Sequence, residues 1–392
     1  MLDRLQDTPP DALLALISQF AADQREDKID LGVGVYRTDD GATPVFGAVK
    51  AGEQRLWEEQ DSKSYLGPEG DRGFVHALMP IIFGSDATMG GRIDGLQTPG
   101  GTGAVRLAIA LAERAGITRV HVGTPSWPNH IPIIEDVGLE APTFRHAKED
   151  GTADVDAVLS IIRDGREGDA VLIHACCHNP TGIDYSADQW DALAEAFADS
   201  PVLPIIDSAY QGLGEGLEED AVGLRKVLAS VPYALIAYSC DKNFGLYRDR
   251  VGALYAKVAE PGMLSASMSN AAALARANWS MPPDHGGAAV RIVLRDDAMR
   301  EQWLEELDGM RQRLRWVRAT LAAAGDKVDG IPLAHLEEQN GLFAMLPLDK
   351  DQIAKLRDDH AVYMAGSGRI NIAGLTKGNI DKFIAALADV AA

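Results

Sequence analysis

Basic side chains, cysteines and long apolar runs are what this sequence is short of. Lys and Arg number 37 against 58 Asp and Glu, a formal net charge of −21. That excess repels nucleic acid phosphates and anionic membrane surfaces, so neither is an expected partner, and an anionic ligand needs a local cationic pocket. The three cysteines, Cys176, Cys177 and Cys240, are odd in number with two adjacent. They make a poor disulfide framework and read as reduced thiols. No apolar run approaches the roughly 18 residues of a membrane span. The opening "MLDRLQDTPPDALL" has no basic segment followed by a long apolar one. A soluble, cytoplasmic protein is expected. Low-complexity segments and internal repeats are missing too, so the 392 residues should fold throughout.

Thr8, with Pro9 and Pro10 behind it, reads as a cap ahead of the amphipathic "DALLALISQFAAD". After the glycine-rich turn "LGVGVYRTDDGATP", helical patterns appear in "AVKAGEQRLWEEQ" and "DRGFVHALMPIIF". From "LQTPGGTGAVRLAIALAERAG" onward the short apolar runs "RVHVG", "AVLIHA", "VLPIID" and "ALIAYS" alternate with helical segments. That alternation predicts a mostly parallel sheet covered on both faces by helices. A long charged stretch, "DDAMREQWLEELDGMRQRLRWVRATLAAAG", reads as a solvated helix with one packed stripe. Beyond it, strand-like "GLFAMLP" and "RINIAG" alternate with helical segments, which predicts a second, smaller α/β domain.

In open α/β sheets ligands lie beyond the carboxyl ends of the strands. The residues that follow these apolar runs are Asn179 in "CCHNPTG", Asp207 with Tyr210, and Cys240, Asp241 and Lys242. Three consecutive strands can thus aim an amide, a carboxylate, a phenol and an amine into one crevice. Upstream, Gly100, Gly101, Thr102 and Gly103 open a helix whose free N–H groups and positive dipole end suit a phosphate. By itself such a start is equally compatible with a structural turn, and it lacks both the P-loop ending and the dinucleotide spacing. With Arg250 added, it reads as a monophosphate site. A phosphate site beside a lysine and a buried acid is what pyridoxal 5'-phosphate requires: the lysine bonds the cofactor, and the acid keeps the pyridine nitrogen protonated. The lysine must be neutral to react, and nearby Arg250 favours the neutral amine.

The motifs "YLGPEG", "QTPGGTGA", "PSWPNH", "CCHNPTG", "DSAYQG", "KNFGLYRDRVG", "RANWSMPPDHG" and "SGRINIAG" run through essentially the whole chain. With them the sequence resembles the class I aminotransferases of fold type I, and within them the aspartate and aromatic amino acid aminotransferases. The resemblance implies a pyridoxal-phosphate-dependent transferase fold. Its large α/β domain, near 44–300, holds a mostly parallel seven-stranded sheet. A smaller α/β domain is formed by 1–43 and 301–392, with a connecting helix near 285–320. Lys242 matches the cofactor-bonding lysine and Asp207 the partner of the pyridine nitrogen, with His130 behind it. Asn179 and Tyr210 match donors to the ring oxygen, and Trp127 the stacking ring. Gly101, Thr102, Ser239 and Arg250 match the phosphate ligands, joined by Tyr65 from a neighbouring subunit. Arg369 matches the clamp on the substrate α-carboxylate, with Gly34, Trp127 and Asn179 also at the substrate. Arg276 matches the arginine that reaches across a homodimer to a side-chain carboxylate. The implied reaction moves an amino group from aspartate or an aromatic amino acid to 2-oxoglutarate by a ping-pong route. A decarboxylase-like reaction on the same cofactor and a non-enzymatic cofactor-binding module are the alternatives.

Two residues depart from the family pattern. Asp241 stands where serine is usual, and the expectation is a changed hydrogen bond at the edge of the site. Met281 stands where asparagine or serine is common and makes the substrate mouth more apolar. Arg248 gains no role. "HACCHNP" also invites a metal reading through His174, Cys176, Cys177 and His178. Adjacent cysteines on one strand point to opposite faces, which argues against a shared ion, and no metal is expected.

Overall fold

The computed structural model describes residues 2–7 and 12–391. The expected cap at Thr8, with Pro9 and Pro10, lies outside the described residues, and a helix follows over Ala12–Ala22. The chain divides into two compact units, Pro44–Arg313 and Met1–Thr43 with Leu314–Ala392.

Strands are numbered along the whole chain. The smaller unit holds β1 (Ile29–Asp30), β9 (Phe343–Met345), β10 (Val362–Tyr363) and β11 (Arg369–Asn371). The larger holds β2 (Ile93–Pro99), β3 (Arg119–Thr124), β4 (Thr143–Arg145), β5 (Asp169–His174), β6 (Leu203–Ser208), β7 (Ala234–Ser239) and β8 (Val251–Lys257). These last seven form one sheet in the order β2-β8-β7-β6-β5-β3-β4. Only β8 runs antiparallel to its neighbours. Every residue of β5, β7 and β8 is buried, as expected of strands covered on both faces, and this is why their sequences are unbroken apolar runs instead of alternating ones. The expected α/β fold with a mostly parallel seven-stranded sheet is the one observed.

In the smaller unit β1 pairs parallel with β10, and β9 antiparallel with β11. Arg318 is buried there, donating to the carbonyls of Asn340, Gly341 and Phe343 at 2.7–3.0 Å. The helix Lys350–His360 starts at Asp349, whose carboxylate accepts from the amides of Asp351 and Gln352.

The continuous helix expected near 285–320 is two helices, His285–Arg295 and Asp297–Ala323. Asp296 breaks the run: its backbone is extended, and its Oδ1 accepts the Met299 N–H at 3.0 Å, capping the second helix. The stripe on that helix is Trp303, Leu307, Met310, Leu314, Val317 and Leu321, all buried at alternating spacings of four and three. Among the described residues no helix is long and apolar enough to cross a membrane.

Trp303 secures the segment that follows Lys242. Its indole donates to the Asn243 carbonyl at 2.7 Å, and its ring stacks on Phe244 with centroids 4.4 Å apart. Trp303→Phe keeps the stacking and strands a buried carbonyl, so it should lower unfolding free energy by about 1–3 kcal/mol, read from urea titration.

Candidate active site

Register brings the ends of three parallel strands together: His174 of β5 lies opposite Asp207 of β6, and Ser208 opposite Tyr238 of β7. The segments carrying Asn179, Tyr210 and Lys242 leave the sheet along that one edge. Asp207 is 5% exposed. Its Oδ2 lies 3.0 Å from His130 Nε2, and His130 Nδ1 lies 2.8 Å from Ser126 Oγ. A hydroxyl donating to Nδ1 leaves the Nε2 proton for the carboxylate. Burial pushes the Asp207 carboxyl up, but the His130 hydrogen bond and the neighbouring Lys242 charge outweigh it, holding it below the ordinary aspartate value.

The Lys242 Nζ sits 4.9 Å from the centre of the Tyr210 ring. Burial drives its amine below the usual lysine range; Asp241 and Asp207 oppose that shift and Arg250 adds to it. Asn179 Nδ2 donates to the Tyr210 hydroxyl at 3.3 Å, while its buried Oδ1 has no hydrogen-bond partner. Trp127 meets His130 edge-on, with centroids 5.1 Å apart.

The expected phosphate cradle lies where β2 passes into the helix Gly100–Arg114. Gly100 has φ 71°. A Cβ on Gly101 would come within 2.8 Å of Ser239, and one on Gly252 within 2.6 Å of the Gly100 carbonyl carbon. Glycine at these positions lets β7, β8 and the helix start close on one another. Thr102, Arg106, Arg250 and Trp279 line an adjoining cavity of about 420 Å³.

Asn179, Asp207, Tyr210, Lys242, Trp127 and His130 thus gather at one edge, with Gly101, Thr102, Ser239 and Arg250 at the cradle. Two expected residues point outward on this chain: Tyr65 is 91% exposed, and Arg276 is exposed near the end of the helix Leu264–Asn278. Gly34 and Arg369 belong to the smaller unit. There the Arg369 guanidinium lies 4.7 Å over the Phe343 ring and donates to the Gly32 carbonyl at 3.0 Å. A Cβ on Gly34 would strike the same ring at 2.7 Å. Met281 accepts the Leu66 N–H on its sulfur at 3.2 Å.

The two adjacent cysteines are not placed as a strand would place them. Cys177 is past the end of β5 with φ 52°, so the adjacent cysteines are not on opposite faces of a strand, and their sulfurs approach each other and Asp220. His130, His174 and Asp207 also converge. Both clusters are already committed: His130 to Ser126 and Asp207, and the Asp220 carboxylate to the amides of Gly212, Gly214, Glu215 and Gly216. All three cysteines are buried, and burial pushes the Cys177 and Cys240 thiols well above their ordinary value.

Sequence reasoning missed the supports behind the acid. Asp184 takes the N–H groups of Cys177 and His178 at 2.8 and 2.9 Å, shaping the loop that presents Asn179. His146 stacks on His178 at 3.5 Å, His178 meets His174 at 4.2 Å, and His174 reaches His130 at 5.1 Å. The histidines of "HACCHNP" were visible, but stacking with His146, some thirty positions upstream, leaves no spacing signature.

Burial pushes His174 down to about 3 and His146 down to about 4. Both stay neutral in the fold, whereas an unfolded histidine takes up a proton below about pH 6.5. Stability from this stack is therefore complete above that pH and is lost on acidification, by at most about 1.4 kcal/mol per pH unit per histidine. Urea titrations from about pH 7.5 to 4.5 should show the fall, with a shallower slope in His146→Gln.

Residues 26–387 match the family described as aminotransferase class I and II. The tyrosine aminotransferase of Rhizobium meliloti (strain 1021) is 47% identical over 96% of both chains. The aspartate aminotransferase of Escherichia coli (strain K12) is 41% identical over 97% of both. A crystal structure of an aromatic-amino-acid aminotransferase from Burkholderia pseudomallei, covalently bound to pyridoxal phosphate, superimposes with a TM-score of 0.96 at 32% identity, covering 100% of both chains. With that likeness along its whole length, the chain belongs to the class I and II aminotransferases, a family of transaminases that work with pyridoxal 5'-phosphate.

Proposed function

We propose that this enzyme moves the amino group of an aromatic amino acid or aspartate to 2-oxoglutarate, as a cytoplasmic homodimer with Lys242 at its centre. The observation that carries the reading is the convergence of Lys242, Asp207, Asn179 and Tyr210 beside a glycine-lined helix start with an arginine. The side chains suit pyridoxal phosphate: a buried amine held below its usual pKa, a buried carboxylate held below the ordinary aspartate value, and the Asn179 amide, whose Nδ2 donates to the Tyr210 hydroxyl.

When bound, the cofactor supplies an electron sink that makes the substrate Cα proton acidic. Ionised Asp207, oriented by His130, holds a proton at the ring nitrogen. Asn179 and Tyr210 would hold the ring oxygen, and Trp127 would stack on the ring. The Gly101 and Thr102 amides, the Ser239 hydroxyl and Arg250 take the phosphate. The Lys242 amine, when free, would be the base that takes the proton from the substrate Cα. Arg369 takes the α-carboxylate bidentately, with Gly34 leaving room beside it.

Tyr65 and Arg276 are exposed on a single chain, which suits residues that complete the partner's site. Arg276 favours dicarboxylic substrates, including the 2-oxoglutarate acceptor. The apolar Met281, packed against the residue after Tyr65, favours aromatic donors.

Holoenzyme mixed with phenylalanine, tyrosine or aspartate should lose the visible band of lysine-bound cofactor as the amine is transferred, and 2-oxoglutarate should restore it. Lys242→Ala should abolish turnover. Normal turnover in that variant, or carbon dioxide release without an acceptor, contradicts the reading.

Sharing of sites is tested by mixing inactive chains. Lys242→Ala and Arg276→Ala homodimers, unfolded together and refolded at equal amounts, should regain aspartate activity approaching about a quarter of native, since half the dimers then carry one intact site. No recovery means that each chain supplies its own Arg276.

A further inference from the structure

The acid that replaces the usual serine lies inside the phosphate cradle. Asp241 follows β7 by two residues, and its side chain is 6% exposed. Its Oδ2 lies 2.7 Å from Arg250 Nη1, its Oδ1 accepts the Val251 N–H at 3.3 Å, and its own N–H donates to Ser239 Oγ at 3.2 Å. Arg250 Nη1 also donates to the Tyr247 carbonyl at 3.0 Å, from a backbone with φ 56°. A Cβ built on Gly100 would meet Arg250 Nη2 at 2.5 Å and Asp241 Oδ2 at 3.2 Å. Carboxylate, guanidinium and helix N-terminus therefore meet at one point.

Arg250 supplies the cationic side chain of the cradle, and Asp241 already matches its charge. A phosphate drawn to the Gly101 and Thr102 amides arrives beside a resident anion in a partly desolvated site, where like charges repel more strongly than in water. Asp241 cannot easily withdraw, because Val251 holds its second oxygen and burial closes off solvent. A serine there would offer a donor to the phosphate; the aspartate offers only acceptors.

We propose that Asp241 is a resident counter-anion of the phosphate cradle, competing with the cofactor's phosphate for Arg250 and loosening this enzyme's hold on its cofactor. The inference rests on the reading of this site as the pyridoxal phosphate site. Asp241 also restrains the shift of the Lys242 amine, an effect that two probes differing only in the phosphate share, so that their comparison isolates the effect on the phosphate.

The test compares apoenzyme with its Asp241→Ser and Asp241→Asn variants by calorimetric titration. The probes are pyridoxamine 5'-phosphate and pyridoxamine, which form no bond to Lys242 and differ only in the phosphate. Both variants should bind the phosphorylated probe at least about tenfold tighter, the scale of one unscreened like-charge contact, with pyridoxamine affinity changed by less than about twofold. Inorganic phosphate should compete better in the variants. Unchanged or weaker binding of pyridoxamine 5'-phosphate in both variants overturns the proposal, as does equal tightening of both probes. If native apoenzyme given pyridoxal phosphate develops no band of lysine-bound cofactor, the underlying site reading fails instead.

Discussion

Keeping Asp207 ionised in a buried place is the constraint around which the larger unit is organised. A carboxylate at the end of a strand covered on both faces is stable only with donors and cations at hand. His130 supplies the donor and Lys242 the charge, while Ser126 fixes which proton His130 carries. The support continues behind: His174 abuts His130, His178 abuts His174, and His146 lies flat on His178 with its Nε2 2.9 Å from the Ile183 carbonyl. Behind the acid and its donor thus lie three buried histidines, His174, His178 and His146, each pushed below the ordinary histidine value by burial.

The same low-dielectric setting acts on Lys242 in the opposite sense. Burial disfavours the ammonium, so the amine is closer to its reactive neutral form, while two nearby carboxylates restrain that shift. The Lys242 amine is set by a balance of desolvation against anions, and Asp241 adds weight to one side of it while pairing with Arg250 at 2.7 Å.

Much of the larger unit was legible in the sequence because its strands are buried on both faces and read as unbroken apolar runs. Asn179, Asp207 and Lys242 were legible for a related reason, since polar residues that end such runs stand out. Other features depend on contacts that spacing does not encode. The Asp241–Arg250 pair needs a backbone turn that brings residues nine apart together, and the φ of Arg250 has no clear signature at a non-glycine residue. Cys177 looked like a strand position and is a left-handed one. The helix break at Asp296 hides in a sequence whose neighbours on both sides are helix formers. In the smaller unit, Asn371 holds the segment bearing Gly34 by donating to the Val33 and Val35 carbonyls at 2.6 and 2.7 Å, a role that "SGRINIAG" alone does not disclose.

The three cysteines have a practical bearing. Cys176, Cys177 and Cys240 are 5%, 1% and 0% exposed, and their thiols ionise only with difficulty. In the native fold they should be nearly silent toward alkylating reagents, which consume thiolate. A cysteine introduced on the surface could therefore carry a dye or spin label against a quiet background. The slow reaction of the native three would in turn act as a clock, counting how often the centre of the sheet opens to water.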